Sequence, residues 1–226
     1  MKEFIKKIPV INKIAQFLYH RFILRIPRFT TSKNYWEERY HSGGTSGAGS
    51  YGDAAIYKAE ILNNFVKENK INSVIEFGCG DGNQLKLAEY PSYTGFDVSD
   101  TAVTLCKQTF NDDKTKSFKK VEQYSGEKAD LCLSLDVIYH LIEDEIFNNY
   151  MDKLFASASK YVIIYSSNTD NQQDLQANHV KHRKFSDWVE ANRSDWVLKE
   201  HTPNPLPIYK GDLEKYSVDF HIYESI

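Results

Sequence analysis

The sequence predicts an α/β protein whose mostly parallel sheet ends in an antiparallel pair of strands. Helix-like and strand-like segments alternate between residues 54 and 168, which is typical of a parallel sheet with helices on both faces. The β-branched run at 73–77 ends in the glycine-rich turn "GCGDG", where a parallel strand would meet its crossover helix. Near the C-terminus, two strand-like segments flank a loop that contains prolines, and this arrangement predicts a hairpin.

The alternating elements follow from hydrophobic spacing. Segment 54–70 has apolar residues at helical spacing and is predicted to be a helix. The residues of this stripe are Ile56, Ala59, Leu62, Phe65 and Val66. Strands are predicted at 73–77, 93–98, 117–124, 129–137 and 160–168. Helices are predicted at 83–90, 99–110 and 143–159, with Ser99 as the N-cap of the second.

The two ends of the domain complete the prediction. Segment 34–40, "NYWEERY", is polar and aromatic and is predicted to be helical. Segment 186–194 predicts a short helix, and segments 195–204 and 217–225 are the strands of the antiparallel pair.

Length and composition favour one domain of ordinary globular character. The chain has 226 residues, of which 41% are hydrophobic and 14% aromatic, and this suits a single α/β domain. The net charge of -3 gives no indication of nucleic acid as a partner. Cys79, Cys106 and Cys132 lack a C-x-x-C spacing and predict free thiols in a reducing cytosol.

Residues 1–33 are predicted to be a basic amphipathic N-terminal extension of a domain at 34–226. The extension has eight Lys or Arg and one acid, so it is too charged to span a membrane. Arg21 and Arg25 interrupt the apolar run that a signal peptide needs. Two interpretations stay open: a helix packed on the domain, or a helix that touches an anionic membrane surface or a partner. The expected location is cytoplasmic, with peripheral contact to the inner membrane face under the second interpretation.

Two glycine-rich turns compete as the site of a nucleotide-like ligand. Residues 47–52, "GAGSYG", match G-x-G-x-x-G, but they follow the helical segment 34–40 rather than a strand. A phosphate-binding turn needs a strand before it and a helix after it, so that the helix N-terminus faces the ligand. We therefore predict that residues 34–55 form an aromatic helix and a Gly-rich lid, which becomes ordered when cofactor binds.

The second turn satisfies these requirements. Gly78, Gly80 and Gly82 follow the strand at 73–77, and the next strand ends at Asp97, 19 residues after Gly78. A carboxylate at that place can accept both ribose hydroxyls of an adenosine, and the glycines let the backbone approach the ligand. The alternative ligand is a nicotinamide dinucleotide, whose G-x-G-x-x-G fingerprint has its third glycine one residue later than here.

Several stretches resemble the class I S-adenosylmethionine-dependent methyltransferases. "VIEFGCGDGNQL" is similar to their motif I, E/D-x-G-x-G-x-G, and "GFDVSDTAV" to their second motif. "LSLDVIYHL" resembles the segment after their fourth strand, and "NYWEERY" the aromatic helix before their cofactor site. The resemblance covers about residues 34–226. It implies an enzyme with a Rossmann-like, mostly parallel seven-stranded sheet, a C-terminal antiparallel hairpin and S-adenosylmethionine as cofactor.

The resemblance also implies which residues contact the cofactor. The backbone of Gly78, Cys79 and Gly80 would hold the methionine moiety, with Glu76 orienting its ammonium. Asp97 would hold the ribose.

Other candidate contacts surround these. Val98 would pack on the adenine face, and Glu122 or Gln123 would meet the adenine amino group. The remaining candidates are Asp136 and the aromatic residues Tyr35, Trp36 and Tyr51. An aromatic face near the sulfonium would favour a cation, and simple core packing is the alternative for each aromatic residue.

Methyl transfer to a hydroxyl requires a base that removes its proton. The expected base is His140 or His179, because both follow strands whose carboxyl ends meet at one edge of the sheet. A structural hydrogen bond to the backbone is the alternative for His140. We expect Tyr139 to contact substrate, and His182 and Arg183 to bind an anionic group such as a phosphate or carboxylate. The alternative for the segment that contains His179, His182 and Arg183 is a solvated basic loop.

The acceptor is expected to be a small molecule with a reactive oxygen. No N-P-P-Y-type tetrapeptide, typical of many amino-group methyltransferases, follows "LSLDV". The runs "YWEERYHSGGTSGAGSYG" and "LSLDVIYHLIED" are similar to compact bacterial methyltransferases encoded with surface-polysaccharide genes, which implies O-methylation of a nucleotide sugar or glycan unit. Alternatives are another small metabolite, protein, or a non-catalytic cofactor-binding role. No metal is expected, because one aspartate and two histidines are a poor set for magnesium.

Overall fold

The computed structural model describes residues 29–172, 176–206 and 217–226, which build a seven-stranded sheet flanked by helices. The helices are α1 (Ser32–His41), α2 (Gly52–Glu68), α3 (Asp100–Thr109), α4 (Asp144–Ser157) and α5 (Phe185–Asn192). The strands are β1 (Val74–Phe77), β2 (Tyr93–Asp97), β3 (Lys116–Lys120), β4 (Ala129–Leu135), β5 (Ala158–Ser166), β6 (Trp196–Thr202) and β7 (Asp219–Ser225). Their order across the sheet is β3-β2-β1-β4-β5-β7-β6.

The first five strands are parallel, and β7 is antiparallel to both of its neighbours, which confirms the predicted fold class. β7 lies between β5 and β6, although β6 precedes it in the chain. Burial explains this order, because the first five residues of β7 are buried whereas β6 buries only Trp196. The polar strand therefore takes the edge of the sheet. A bulge between Leu198 and Glu200 interrupts this exposed edge.

Two predicted elements are shorter than expected. Segment 83–90 forms only a 3-10 turn, Gln84–Leu87, and the chain is extended from Ala88 onward toward Pro91, which disfavours helix in the residue before it. The strand predicted over 117–124 ends at Lys120. There the side chain of Gln123 accepts a hydrogen bond from the backbone N–H of Lys120, at 2.9 Å, and closes a turn.

The buried face of α2 differs from the predicted stripe. Four of the five predicted residues are buried, but Ile56 is 50% exposed. Ala55 and Lys58 complete the buried face instead, and Lys58 is only 1% exposed. This face thus includes a charged side chain, which meets a polar partner, Asp136, just after the end of β4.

α1 is fastened to two distant parts of the chain by carboxylates. At its first residue, Ser32, the backbone N–H and the hydroxyl donate to Glu143 at 3.1 and 2.6 Å. In its middle, Glu37 accepts hydrogen bonds from the hydroxyls of Ser99 and Thr101, at 2.6 and 2.7 Å. These contacts hold α1 against the N-terminus of α3 and the segment before α4. Both of these places follow the carboxyl ends of parallel strands, so α1 lies at that end of the sheet.

The predicted basic extension lies outside the described residues up to position 28, and its two interpretations stay open. Within the described ranges, no helix is long and apolar enough to cross a membrane. All three cysteines are buried and unpaired as disulfides, in keeping with the thiols predicted from their spacing.

Candidate active site

A cleft opens where the carboxyl ends of β1, β2 and β4 meet α1 and α2. It encloses about 970 Å³, its open mouth included. The predicted site residues that line it are Trp36, Glu76, Gly78, Cys79, Gly80, Asp97, Val98, Asp136 and His140. The predicted site residues that do not line it are Tyr35, Tyr51, Glu122, Tyr139, His179, His182 and Arg183.

The second glycine turn forms the floor of the cleft. Gly78 and Gly80 have φ angles of +91° and +57°, in the left-handed region that favours glycine. A Cβ on Gly78 would overlap the side chain of Val137, and one on Gly80 would overlap the hydroxyl of Ser46. Both positions therefore require glycine, because the backbone of this turn packs directly against Val137 and Ser46.

Asp97 connects the end of β2 to this turn. Its carboxylate accepts hydrogen bonds from the backbone N–H groups of Gly80 and Ser99, both at 2.9 Å. The residue is 6% exposed, and burial raises the pKa of its carboxyl to about 6. The carboxylate still has lone pairs for ligand hydroxyls, since a carboxylate offers about four acceptor sites.

Glu76 is a second buried acid at the end of β1. It accepts a hydrogen bond from the hydroxyl of Tyr93 at 2.6 Å. Burial raises the pKa of Glu76 to about 7, against the hydrogen bond from Tyr93 and the nearby charge of Lys58, which both lower it. Two acids with raised pKa values in one cleft indicate a binding site for a ligand that carries positive charge or hydrogen-bond donors.

A buried ion pair stands on the opposite side of the turn. The ammonium of Lys58 lies 2.5 Å from Asp136 Oδ2, and the hydroxyl of Tyr139 donates to Asp136 Oδ1 at 2.8 Å. Asp136 adopts a φ of +59°, rare for a residue other than glycine. Sequence reasoning missed Lys58, although a lysine in the apolar stripe of a helix is itself a signal of a polar partner inside the fold.

His140 is held in one tautomer. Its Nδ1 lies 2.9 Å from the carbonyl oxygen of His179. A carbonyl can only accept, so Nδ1 carries the proton and Nε2 of the neutral ring is an acceptor. Burial lowers the pKa of His140 to about 4, so the ring is neutral at physiological pH.

His179 and Tyr35 lie behind His140 rather than in the cleft. The ring of His179 stacks on Tyr35 at 4.3 Å and on His140 at 5.4 Å between centroids. Burial lowers the pKa of His179 to about 3. Tyr35 is 1% exposed and packs in the interior, the alternative named for each aromatic residue. On the same helix, Trp36 lines the cleft, and its ring is nearly perpendicular to that of His140, with 4.9 Å between the ring centroids.

Residues 42–51, which lie within the stretch 34–55 that contains the predicted Gly-rich lid, are bound to the second glycine turn. The backbone N–H of Ser46 donates to Asp81 at 2.9 Å, and the backbone N–H of Asp81 donates to the hydroxyl of Ser46 at 3.0 Å. The hydroxyl of Tyr51 donates to the same carboxylate at 2.8 Å, which directs Tyr51 to the outside. The segment therefore covers the turn as a lid would. Its ordering on cofactor binding stays a prediction.

Three further predicted site residues have partners elsewhere. Glu122 pairs with Lys33 at 2.6 Å. His182 Nδ1 lies 2.7 Å from the hydroxyl of Ser167. The guanidinium of Arg183 is buried and donates to the carbonyl oxygens of Leu141 and Ile142 and to Asp144. Arg183 thus braces the segment before α4 instead of presenting its donors to an anion in the cleft.

This bracing role leads to a stability prediction. Arg183→Met removes the donor from one buried and one partly buried carbonyl oxygen, and it is expected to lower the free energy of unfolding by about 2–4 kcal/mol. Lys181→Met is the matched control, because Lys181 binds the same Asp144 from a partly exposed position, where an ion pair contributes about 0–1 kcal/mol. Urea unfolding measures both variants. Equal, small losses would contradict the bracing role of Arg183.

Solved structures share this architecture. One is NodS, an N-methyltransferase from Bradyrhizobium japonicum WM9 in complex with S-adenosyl-L-homocysteine. Its alignment with this protein covers 87% of this chain and 99% of the NodS chain, at 15% identity and a TM-score of 0.63. Another is magnesium protoporphyrin IX methyltransferase (ChlM) from Synechocystis PCC 6803, with bound SAH. Its alignment covers 86% of this chain and 100% of the ChlM chain, at 15% identity and a TM-score of 0.62. The alignment with a bacterial Hen1 methyltransferase domain covers 74% of this chain and 96% of the Hen1 chain, at 20% identity and a TM-score of 0.56. At these identities the likeness is one of fold.

Sequence comparison gives the family. No curated protein matches the chain. A family model described as a methyltransferase domain matches residues 52–201 of the 226, from the start of α2 into β6. The matched part includes the second glycine turn, Asp97, the Lys58–Asp136 pair and His140. Because this match extends over well more than half of the sequence, the chain belongs to the methyltransferase domain family.

Proposed function

We propose that the protein transfers a methyl group from S-adenosylmethionine to a hydroxyl oxygen of a small sugar-type acceptor. The observation that carries this proposal is the neutral, tautomer-fixed His140 in the wall of the same cleft as the glycine turn and Asp97. The base and the cofactor site then share one enclosed space, as in-line transfer requires.

The described residues of the cleft suit this cofactor. Asp97 would accept the ribose hydroxyls, and Val98 lies beside it for the adenine. Gly78 and Gly80 line the cleft and would hold the methionine moiety through their backbone. Trp36 offers an aromatic face, which attracts cations. S-adenosylmethionine supplies a methyl group that the sulfonium has already activated.

His140 suits an oxygen acceptor. A hydroxyl becomes strongly acidic only while its new bond to the methyl carbon forms, so even a base of low pKa can take the proton at that moment. His140 Nε2 is the acceptor for this proton, and Nδ1 stays hydrogen-bonded to the carbonyl of His179. A protonated amine would have to lose its proton before attack, for which a ring with a pKa of about 4 is a poor base.

Cofactor binding should release protons near pH 6. Burial raises the pKa of Glu76 to about 7 and that of Asp97 to about 6. The ionised carboxylates are the forms that pair with an ammonium and accept ribose hydroxyls. Binding therefore lowers both pKa values, and affinity rises as the pH increases from about 5 to about 7.

Titration calorimetry at pH 6, in two buffers of different ionisation enthalpy, counts the released protons. Glu76→Gln keeps an acceptor for Tyr93 but removes the titration, so fewer protons should be released. Asp113→Asn, at a partly exposed acid that does not line the cleft, is the control. Proton uptake, or no exchange, would show that these acids do not face the cofactor's charges and polar groups.

An acceptor screen tests the reaction itself. Purified protein is incubated with S-adenosylmethionine and a panel of nucleotide sugars, free sugars, amines and peptides, and S-adenosylhomocysteine formation is measured. We expect turnover with a sugar-containing acceptor and one added methyl in the product by mass spectrometry. Turnover restricted to amines or peptides would overturn the acceptor class. Binding without turnover on any acceptor would favour the non-catalytic alternative.

A further inference from the structure

We propose that Lys58 and Gln84 bind the charged amino-acid end of S-adenosylmethionine, Lys58 its carboxylate and Gln84 its ammonium. This inference rests on the proposed function, because it requires that cofactor in the cleft. Lys58 belongs to α2 and Gln84 to the 3-10 turn after the glycine motif, and both residues line the cleft.

Strand order determines which side of the glycine turn this end occupies. β1 lies between β2 and β4. The turn after β1 therefore has Asp97, at the end of β2, on one side, and Asp136, after β4, on the other. With the ribose at Asp97, the side next to β4 is left for the amino-acid end. Lys58 lies on that side, because it is paired with Asp136.

Lys58 is a buried cation with donors to spare. Its ammonium lies 2.5 Å from Asp136 and 5.2 Å from the centre of the Tyr165 ring. An ammonium has three N–H donors, and among the described residues Asp136 takes one of them. A buried ion pair costs desolvation free energy, so its place in the wall of a ligand cleft favours a binding role. The remaining donors suit a carboxylate.

Gln84 has an acceptor without a partner. Its Nε2 donates to the carbonyl of Ala55 at 3.0 Å, one turn before Lys58 on α2, which brings both side chains to the same end of the cleft. Its Oε1 is buried and has no hydrogen-bond partner among the described residues. An unsatisfied buried acceptor is costly, and an ammonium donor would satisfy it.

Glu76 completes the match to a zwitterion. It also lines the cleft, and it interacts electrostatically with Lys58. One cation and two acceptors, one of them an acid, therefore face the space where a carboxylate and an ammonium have to be accommodated. Recognition of both charges would let the protein distinguish the complete cofactor from adenosine thioethers that lack the amino-acid end.

A cycle of protein and ligand changes tests the contact with Lys58. Calorimetry compares wild type and Lys58→Met for S-adenosylhomocysteine and for its analogue without the carboxylate. We expect the variant to bind S-adenosylhomocysteine roughly 10- to 100-fold more weakly, the loss of a charge-assisted hydrogen bond, and to bind the decarboxylated analogue within about threefold of wild type. Lys67→Met, an exposed lysine on the same helix, is the matched control.

Gln84→Leu is tested in the same way with the analogue that lacks the amino group. We expect weaker binding of S-adenosylhomocysteine and unchanged binding of the deaminated analogue. Circular dichroism establishes that each variant is folded. If Lys58→Met does not fold because Asp136 loses its partner, the double variant Lys58→Met/Asp136→Asn replaces it, with Asp136→Asn alone as its reference.

The outcomes separate this inference from the proposed function. If wild type binds none of the ligands, the cofactor assignment fails, and the inference fails with it. If wild type binds S-adenosylhomocysteine but a variant weakens both members of its ligand pair equally, the residue is structural and the inference alone is overturned. Only the selective loss supports it.

Discussion

Asp97→Ala is expected to weaken the binding of S-adenosylmethionine by at least about a hundredfold. The variant loses the carboxylate that would accept two ribose hydroxyls. It also loses the acceptor for the backbone N–H groups of Gly80 and Ser99, both at 2.9 Å. The glycine turn and the start of α3 therefore lose their common anchor. Titration calorimetry with S-adenosylmethionine, and with NAD as the alternative dinucleotide, measures the effect.

The matched control for this change is Asp100→Ala. Asp100 lies three residues further along, with its side chain 69% exposed in an ion pair with Lys120. It is expected to leave affinity unchanged within about twofold, because an exposed ion pair contributes little. Thermal unfolding of Asp97→Ala separates lost binding from lost folding. Unchanged affinity in a folded Asp97→Ala variant, or preference of wild type for NAD, would contradict the site described here.

His140→Ala is expected to lower kcat by about 10²- to 10⁴-fold while leaving cofactor affinity nearly unchanged. The imidazole is proposed to take the acceptor's proton, and its removal leaves the transfer without a base. Because burial lowers the pKa of His140 to about 4, the ring stays neutral over the physiological range. With cofactor and acceptor both saturating, the pH profile of kcat should therefore show no inflection near 6.5 from this residue, and its protonation should lower kcat only as the pH approaches about 4.

His179→Ala helps to define the role of the pair. His140 is held by the backbone carbonyl of His179 rather than by its ring, so this variant keeps the hydrogen bond and loses only the stacking ring. We expect a much smaller effect on kcat than in His140→Ala. His41→Ala, at an exposed position on α1, is the control for the chemistry of the substitution. An equal kcat in His140→Ala and wild type would remove the base from the mechanism.

Local pattern was sufficient for the parts of the fold that depend on near neighbours. The strand at 73–77, its glycines and the acid at Asp97 lie within 25 residues of one another, and backbone sterics at Gly78 and Gly80 are visible in sequence. The position of β7 between β5 and β6 is different. It depends on which of the two late strands buries more of its surface, and the prediction of an antiparallel pair did not address that choice.

Which of the predicted site residues line the cleft also depends on contacts between distant parts of the chain. Tyr35 and Trp36 are adjacent in sequence, yet only Trp36 lines the cleft. The rotation of α1 that decides between them depends on Glu37, which binds Ser99 and Thr101 more than 60 residues away. Spacing along the helix alone carries no information about such distant partners.

Two residues show the range of available signals. Lys58 interrupts the apolar stripe of α2, and this interruption could have identified it from the sequence. Gln84 has no such signal, because its unsatisfied oxygen exists only once Ala55 has taken its amide nitrogen.

The attachment of α1 has a consequence for the speed of repeated catalysis. Ser32 and Glu37 join α1 to Glu143 and to the start of α3, and α1 forms one side of the space that would enclose the cofactor. Because α1 and residues 42–51 both border the cleft, spent cofactor that leaves past them requires contacts of α1 or of residues 42–51 to break. We expect this opening, a slow motion compared with bond formation in many enzymes, to set the turnover rate. An interaction that displaces Ser32 from Glu143 would therefore change the rate of that step.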